Sequence, residues 1–236
     1  MSWMTNGAVI ALRKVGRGLG LNSLIARMLH GDGYETGYDL AFQKSLRSGD
    51  CVWDIGANVG HYTRIFSGRV GVQGRVSAFE PSPLNHAKLV EACAGLSNVE
   101  IFNFGIGDAD GEVIFQQGDD DLGATSRVLS ADEASGRGSA VKVAVRAGDA
   151  LVKERVTLPP NALKIDVEGF EPEVIRGLEN TLRDRGLRLV GIEMHFGLLQ
   201  ARGLSSAPRG IESLLREHGF TIKWPDSSHL LAVRDD

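Results

Sequence analysis

The chain has 236 residues, 42% of them hydrophobic and 24% charged, a balance that suits one sizeable core or at most two small ones. Its formal net charge of −4 gives no general attraction for nucleic acid. No stretch approaches the ~20 apolar residues needed to span a bilayer.

The opening apolar run, Ala8 to Leu12, is too short for a signal peptide, and Arg13, Lys14 and Arg17 follow it rather than precede it. A cytoplasmic protein is the expectation. The first acidic residue is Asp32, so the opening segment is locally basic. A helical extension over residues 1–48 with a solvated basic face accounts for this better than peripheral contact with anionic lipid, because Gly16, Gly18 and Gly20 interrupt the run. Residues 49–236 read as one domain, without linker or internal repeat. Cys51 and Cys93 both sit in apolar runs and read as small core residues.

From residue 50 strands and helices alternate. CVWDI (Cys51 to Ile55) is a strand, followed by a glycine-containing turn and a helical stretch from His61. RVSAFE (Arg75 to Glu80) is a second strand, closed by Pro81 and Pro83, with a helix over Leu84 to Ala94 and a third strand at Val99 to Asn103. Such alternation predicts a parallel sheet with helices on both faces. EVIFQ and VKVAVR then alternate as the antiparallel strands of a β-hairpin insertion, separated by a polar stretch, Gln117 to Ser139, that is too long for a tight turn. LKIDV (Leu163 to Val167) restores the parallel pattern, with a helix over Pro172 to Arg185 and another central strand in RLVGIEM. A helix at Ile211 to His218 precedes strands at Phe220 to Trp224 and His229 to Val233. The predicted architecture is α/β and Rossmann-like, with about seven strands in a mostly parallel sheet.

Asp54-Ile55-Gly56-Ala57-Asn58-Val59-Gly60 begins at a strand end and leads into a helix, where a cofactor binds in an open α/β sheet. Gly56 and Gly60 let the backbone turn tightly and approach a ligand, and Glu80, closing the next strand, can accept both hydroxyls of a ribose. A dinucleotide fingerprint wants G-x-G-x-x-G. Here Asn58 stands near the space for a pyrophosphate, and Asp54 would repel that group but suits the ammonium of a methionine moiety, directly or through water. The residues four after Tyr34, Tyr38 and Tyr62 are Tyr38, Phe42 and Phe66, so no Tyr-x-x-x-Lys pair is present. S-adenosylmethionine (SAM) fits the loop better than NAD.

DIGANVGHYT (Asp54 to Thr63), FEPSP (Phe79 to Pro83), NFGIGD (Asn103 to Asp108) and, most distinctive, LKIDVEGFEPEVIRG (Leu163 to Gly177) resemble the FkbM family of SAM-dependent methyltransferases, in the family's order. The resemblance covers about residues 50 to 195 and implies a seven-stranded class I methyltransferase fold and O-methyl transfer. It implies that Gly56, Asn58 and Gly60 pack against SAM, that Asp54 lies near its amino-acid end, that Glu80 holds the ribose, and that Asn103 to Gly105 border the adenine. Sugar, glycolipid, polyketide and peptide hydroxyls are the acceptors it suggests.

A hydroxyl nucleophile benefits from a general base or a metal. The period of two places Lys164, Asp166 and Glu168 on one face, and Glu193 with His195 on another. Asp166, Glu168, Glu193 and His195 would thus converge at the carboxyl edge of neighbouring strands. One reading makes His195 the base. A second has Asp166, Glu168 and Glu193 bind Mg²⁺, with or without His195. A third is structural, with Glu168 capping a turn and Asp166 pairing with Lys164. A nucleotide-cofactor oxidoreductase and a non-catalytic binding protein are the competing functions; an Asn/Asp-Pro-Pro-Tyr-like run for a flipped base is missing.

Overall fold

The computed structural model describes residues 37–116, 127–129 and 140–234. The elements in chain order are α1 (Gly37–Ser45), β1 (Cys51–Ile55), α2 (His61–Val70), β2 (Arg75–Phe79), α3 (Pro83–Ala92), β3 (Val99–Phe102), β4 (Gly105–Gly107), β5 (Gly111–Gln116), β6 (Arg127–Leu129) and β7 (Ala140–Ala147). They continue with α4 (Gly148–Lys153), β8 (Ala162–Ile165), α5 (Glu171–Arg176), α6 (Glu179–Arg183), β9 (Leu189–Glu193), α7 (Phe196–Ala201), α8 (Ala207–Glu217), β10 (Thr221–Lys223) and β11 (His229–Val233).

Seven strands form the main sheet in the order β10-β11-β9-β8-β1-β2-β3. The five from β3 to β9 pair in parallel, while β11 runs antiparallel to both β9 and β10. From β1 the chain winds outward through β2 to β3, then returns to β8 on the other side of β1. That reversal makes the carboxyl ends of β1 and β8 the topological switch point, where an open α/β sheet binds its ligand in the crevice outside the strand ends. β1 is buried along its whole length, because helices cover both faces of the sheet. On one face Trp53, Ile55, Phe79, Leu163, Ile165, Val190 and Ile192 pack with α5, α6 and α8; on the other, Tyr38 and Phe42 of α1 meet Phe66, Val52 and Val76.

The two strands expected as a hairpin insertion do pair antiparallel, from Gly111↔Val145 to Gln116↔Ala140. They belong to a second sheet of four strands, β4-β7-β5-β6, and not to the main one. The greater part of the polar stretch expected between them, and residues 1–36 of the expected N-terminal extension, lie outside the described residues.

The helix predicted over Pro172 to Arg185 is two helices, α5 and α6. A Cβ on Gly177 would lie 1.7 Å from the carbonyl oxygen of Gly107, so the break is where β4 crosses against the helix backbone. Cys51 and Cys93 are buried and free, as expected of core residues. Among the described residues no helix is long and apolar enough to cross a membrane.

Candidate active site

The turn after β1 is a backbone cradle. Gly56 (φ +81°), Asn58 (φ +50°) and Gly60 (φ +86°) all adopt the left-handed conformation, which glycine tolerates and asparagine permits. A Cβ on Gly56 would stand 1.9 Å from the carbonyl oxygen of Asp166, so only glycine lets this turn lie against the end of β8. Gly60 leads directly into α2, and a Cβ there would meet Leu89 at 2.8 Å.

Glu80 reaches back from the end of β2 to this turn. Its Oε2 accepts the amide N–H of Asn58 and its Oε1 that of Ser82, both at 2.8 Å. Burial pushes its pKa up to about 7, against those two amides, which lower it. The side-chain oxygen of Asn58 is buried and has no hydrogen-bond partner among the described residues. An orphaned acceptor, a carboxylate held at both oxygens with lone pairs to spare, and two glycines without a Cβ fit a ligand that offers hydroxyl and ammonium donors.

Asp54 has a different setting. It is fully buried beneath the turn, where Thr63 Oγ1 donates to its Oδ2 at 2.6 Å and Lys164 Nζ lies 3.5 Å from its Oδ1. Asn103 spends its side-chain amide on the carbonyl oxygens of Glu80 and Pro81, and so fixes the turn after β2. Gly105 lies against Pro81 with ordinary spacing.

The second half of the crevice is charged. Lys164, buried and 4.7 Å from the centre of the Tyr62 ring, stands between Asp54 and Asp166, the latter at 3.3 Å. Burial works against its charge, but Asp166 and Asp54 outweigh it and raise its pKa. Burial likewise works against ionised Asp166, yet Lys164 and His195 hold its pKa below the ordinary value.

His195 sits at the start of α7 and faces three carboxylates. Its Nδ1 is 2.7 Å from Oε1 of the fully buried Glu171, and its Nε2 is 3.2 Å from Glu168 and 3.8 Å from Asp166. Burial opposes the imidazolium, but Glu168 and Glu171 keep its pKa well above the ordinary value. Glu168, at φ +49°, is pushed up to about 8 by burial.

Thus Asp166, Glu168 and His195 converge, with one ligand-type atom from each within 4.8 Å of the others. Glu193, expected to join them, does not: it lies 3.5 Å from Nε2 of His229, whose Nδ1 is held at 2.9 Å by Asp226 and whose ring stacks on Tyr38. Burial opposes the charge of His229, but Glu193 and Asp226 raise its pKa to about 9. The period-two expectation pairing Glu193 with His195 fails because β9 ends at Glu193 and the chain turns into α7. Glu171 lay inside the distinctive LKIDVEGFEPEVIRG run but was given no role there, and His229 had no site signal; Lys164 had one, as the partner of Asp166.

The family model described as Methyltransferase FkbM domain matches residues 54–222. The hexuronic acid methyltransferase AglP of Haloferax volcanii is 30% identical over 169 residues, 71% of this chain and 62% of that protein. The crystal structure of a methyltransferase FkbM from Methylobacillus flagellatus matches with a TM-score of 0.55 at 17% identity, covering 92% of this chain and 52% of that one. The chain therefore spans less than two thirds of the length of either protein. The strand order and the match to this crystal structure together give the class I methyltransferase fold.

Proposed function

Since the chain belongs to the FkbM family of SAM-dependent methyltransferases, we propose that it transfers the methyl group of SAM to a hydroxyl of a sugar-type or related natural-product acceptor. The observation that carries this reading is the meeting, at one crevice, of the turn held by Glu80 and the Asp166–Glu168–His195 group. SAM supplies an electrophilic methyl group, and displacement on it demands in-line positioning of the acceptor oxygen.

In this reading Gly56, Asn58 and Gly60 line the cofactor, Glu80 accepts from its ribose, and Asn103 with Gly105 border the adenine. Asp54 holds Lys164 and Thr63 and reaches the amino-acid end only through water. The acceptor enters over Asp166, Glu168 and His195. His195 stands beside the acceptor with its Nδ1 on Glu171 and its Nε2 toward Glu168, and these carboxylates raise its pKa against burial. A sugar acceptor is favoured by the relative named for a hexuronic acid.

The test has two parts. Calorimetry should show micromolar binding of SAM and S-adenosylhomocysteine but not of NAD; NAD binding in place of SAM would overturn the reading. Incubation with SAM and uronic acids, neutral sugars and polyketides should then give a methyl ether stable to mild alkali. An alkali-labile methyl ester would move the reaction from a hydroxyl to a carboxylate.

A further inference from the structure

We propose that Asp166, Glu168 and His195 form a site for a single divalent transition-metal ion of the Mn²⁺ type, with Glu171 as the outer carboxylate that aims the imidazole. Its use in the reaction rests on the methyltransferase reading above; its existence does not.

The geometry suits an ion. Ligand bonds of about 2.2 Å set neighbouring donors of an octahedral ion about 3.1 Å apart and opposite ones about 4.4 Å apart. The His195 Nε2 contacts, 3.2 Å to Glu168 and 3.8 Å to Asp166, approach the neighbouring spacing. Nε2 makes no hydrogen bond among the described residues, although the His195 side chain is only 6% exposed. It is aimed between two carboxylate oxygens and hydrogen-bonded to neither.

The rest of the ring is fixed. Oε1 of Glu171 takes Nδ1 at 2.7 Å and the amide of Gly169 at 3.0 Å, so the neutral ring carries its proton on Nδ1 and presents a lone pair at Nε2. A carboxylate behind the ring is the common outer partner of a metal-binding histidine.

The nearby cations are also engaged elsewhere. Lys164 is shared between Asp54 and Asp166, and His229 is taken up by Glu193 and Asp226. Among the described residues Glu168 has no hydrogen bond and no ion-pair partner but His195. One nitrogen and two carboxylate donors favour Mn²⁺ and its heavier neighbours over Mg²⁺, which takes oxygen ligands and water. This replaces the sequence expectation twice, in the ion and in Glu193, which faces His229 instead. An ion here would offer the acceptor oxygen a coordination position and lower its pKa.

The experiment is titration of the full chain with Mn²⁺, read by the electron paramagnetic resonance of the free ion, beside titration with S-adenosylhomocysteine. One Mn²⁺ should bind per chain, Mg²⁺ should compete poorly, and Glu168→Gln or His195→Ala should abolish binding. Glu171→Gln should weaken it by about 10- to 100-fold. Glu168→Gln, in a part-exposed turn, serves as the variant expected to stay folded, with its melting temperature as the check. No Mn²⁺ bound at millimolar concentration, or binding untouched by Glu168→Gln, overturns the site even if S-adenosylhomocysteine still binds. Mn²⁺ binding without S-adenosylhomocysteine binding leaves the metal site standing and sinks the cofactor reading.

Discussion

Lys164→Met is expected to lower folding stability by about 3–5 kcal/mol, because it strips the shared cation from the fully buried Asp54 and the partly buried Asp166. Asp54 is fully buried and would keep only the hydroxyl of Thr63; Asp166 would lose the neighbour that does most to lower its pKa. Methionine has nearly the length of the lysine stem, so the loss isolates charge from packing. Adding Asp54→Asn should recover part of it, since that removes one of the two stranded charges. The pH dependence gives a second check. In the parent chain the lowered pKa of Asp166 stabilises the fold above its ordinary value of 3.8, and this is lost as pH falls through the folded value. Without Lys164, Asp166 takes up a proton more readily, so the deficit of the variant should shrink as pH falls from 7 toward 4. Equilibrium denaturation at several pH values measures both effects. A loss below about 1 kcal/mol, with no pH trend, would mean that Lys164 does not hold the two carboxylates.

The same lysine shows why part of the site could be read in advance and part could not. The cofactor turn is contiguous: a strand-end acid, two glycines at positive φ and a carboxylate closing the next strand need no tertiary information. The sheet followed from the alternation of elements for the same reason. Lys164 was visible as a neighbour of Asp166, but its bond to Asp54 comes from the register of β1 against β8, where Asp54 stands opposite Lys164. Glu193 was misassigned because its partner His229 arrives from β11, directly opposite it in the antiparallel pairing. Glu171 reads locally as an acid in the first turn of α5, suited to the helix dipole. It is the approach of His195 from the neighbouring strand that makes it a buried acceptor.

Glu80→Gln is expected to weaken SAM binding by about 10- to 100-fold, the loss of charge-assisted hydrogen bonds worth about 1.5–3 kcal/mol. Both Glu80 oxygens already accept an amide N–H, and each has a lone pair left for a ribose hydroxyl. Glutamine would turn one of those oxygens into a donor facing the amide of Asn58 or Ser82, so the turn itself would loosen. The titration of Glu80 separates this role from a merely structural one. Burial raises its pKa from 4.5 to about 7 in the free chain. By linkage its contribution to stability is fully present below 4.5 and is lost as pH rises through about 7. A ribose that donates to the ionised carboxylate reverses that balance and draws the pKa down. SAM should therefore bind more tightly as pH rises from 6 to 8, and near pH 7 its binding should release a fraction of a proton. Calorimetry in buffers of different ionisation enthalpy measures that proton. In Glu80→Gln the pH trend and the proton release should both vanish. If the variant binds SAM as the parent chain does, with the same proton release, Glu80 does not hold the ribose and serves only to fix the turn between Asn58 and Ser82.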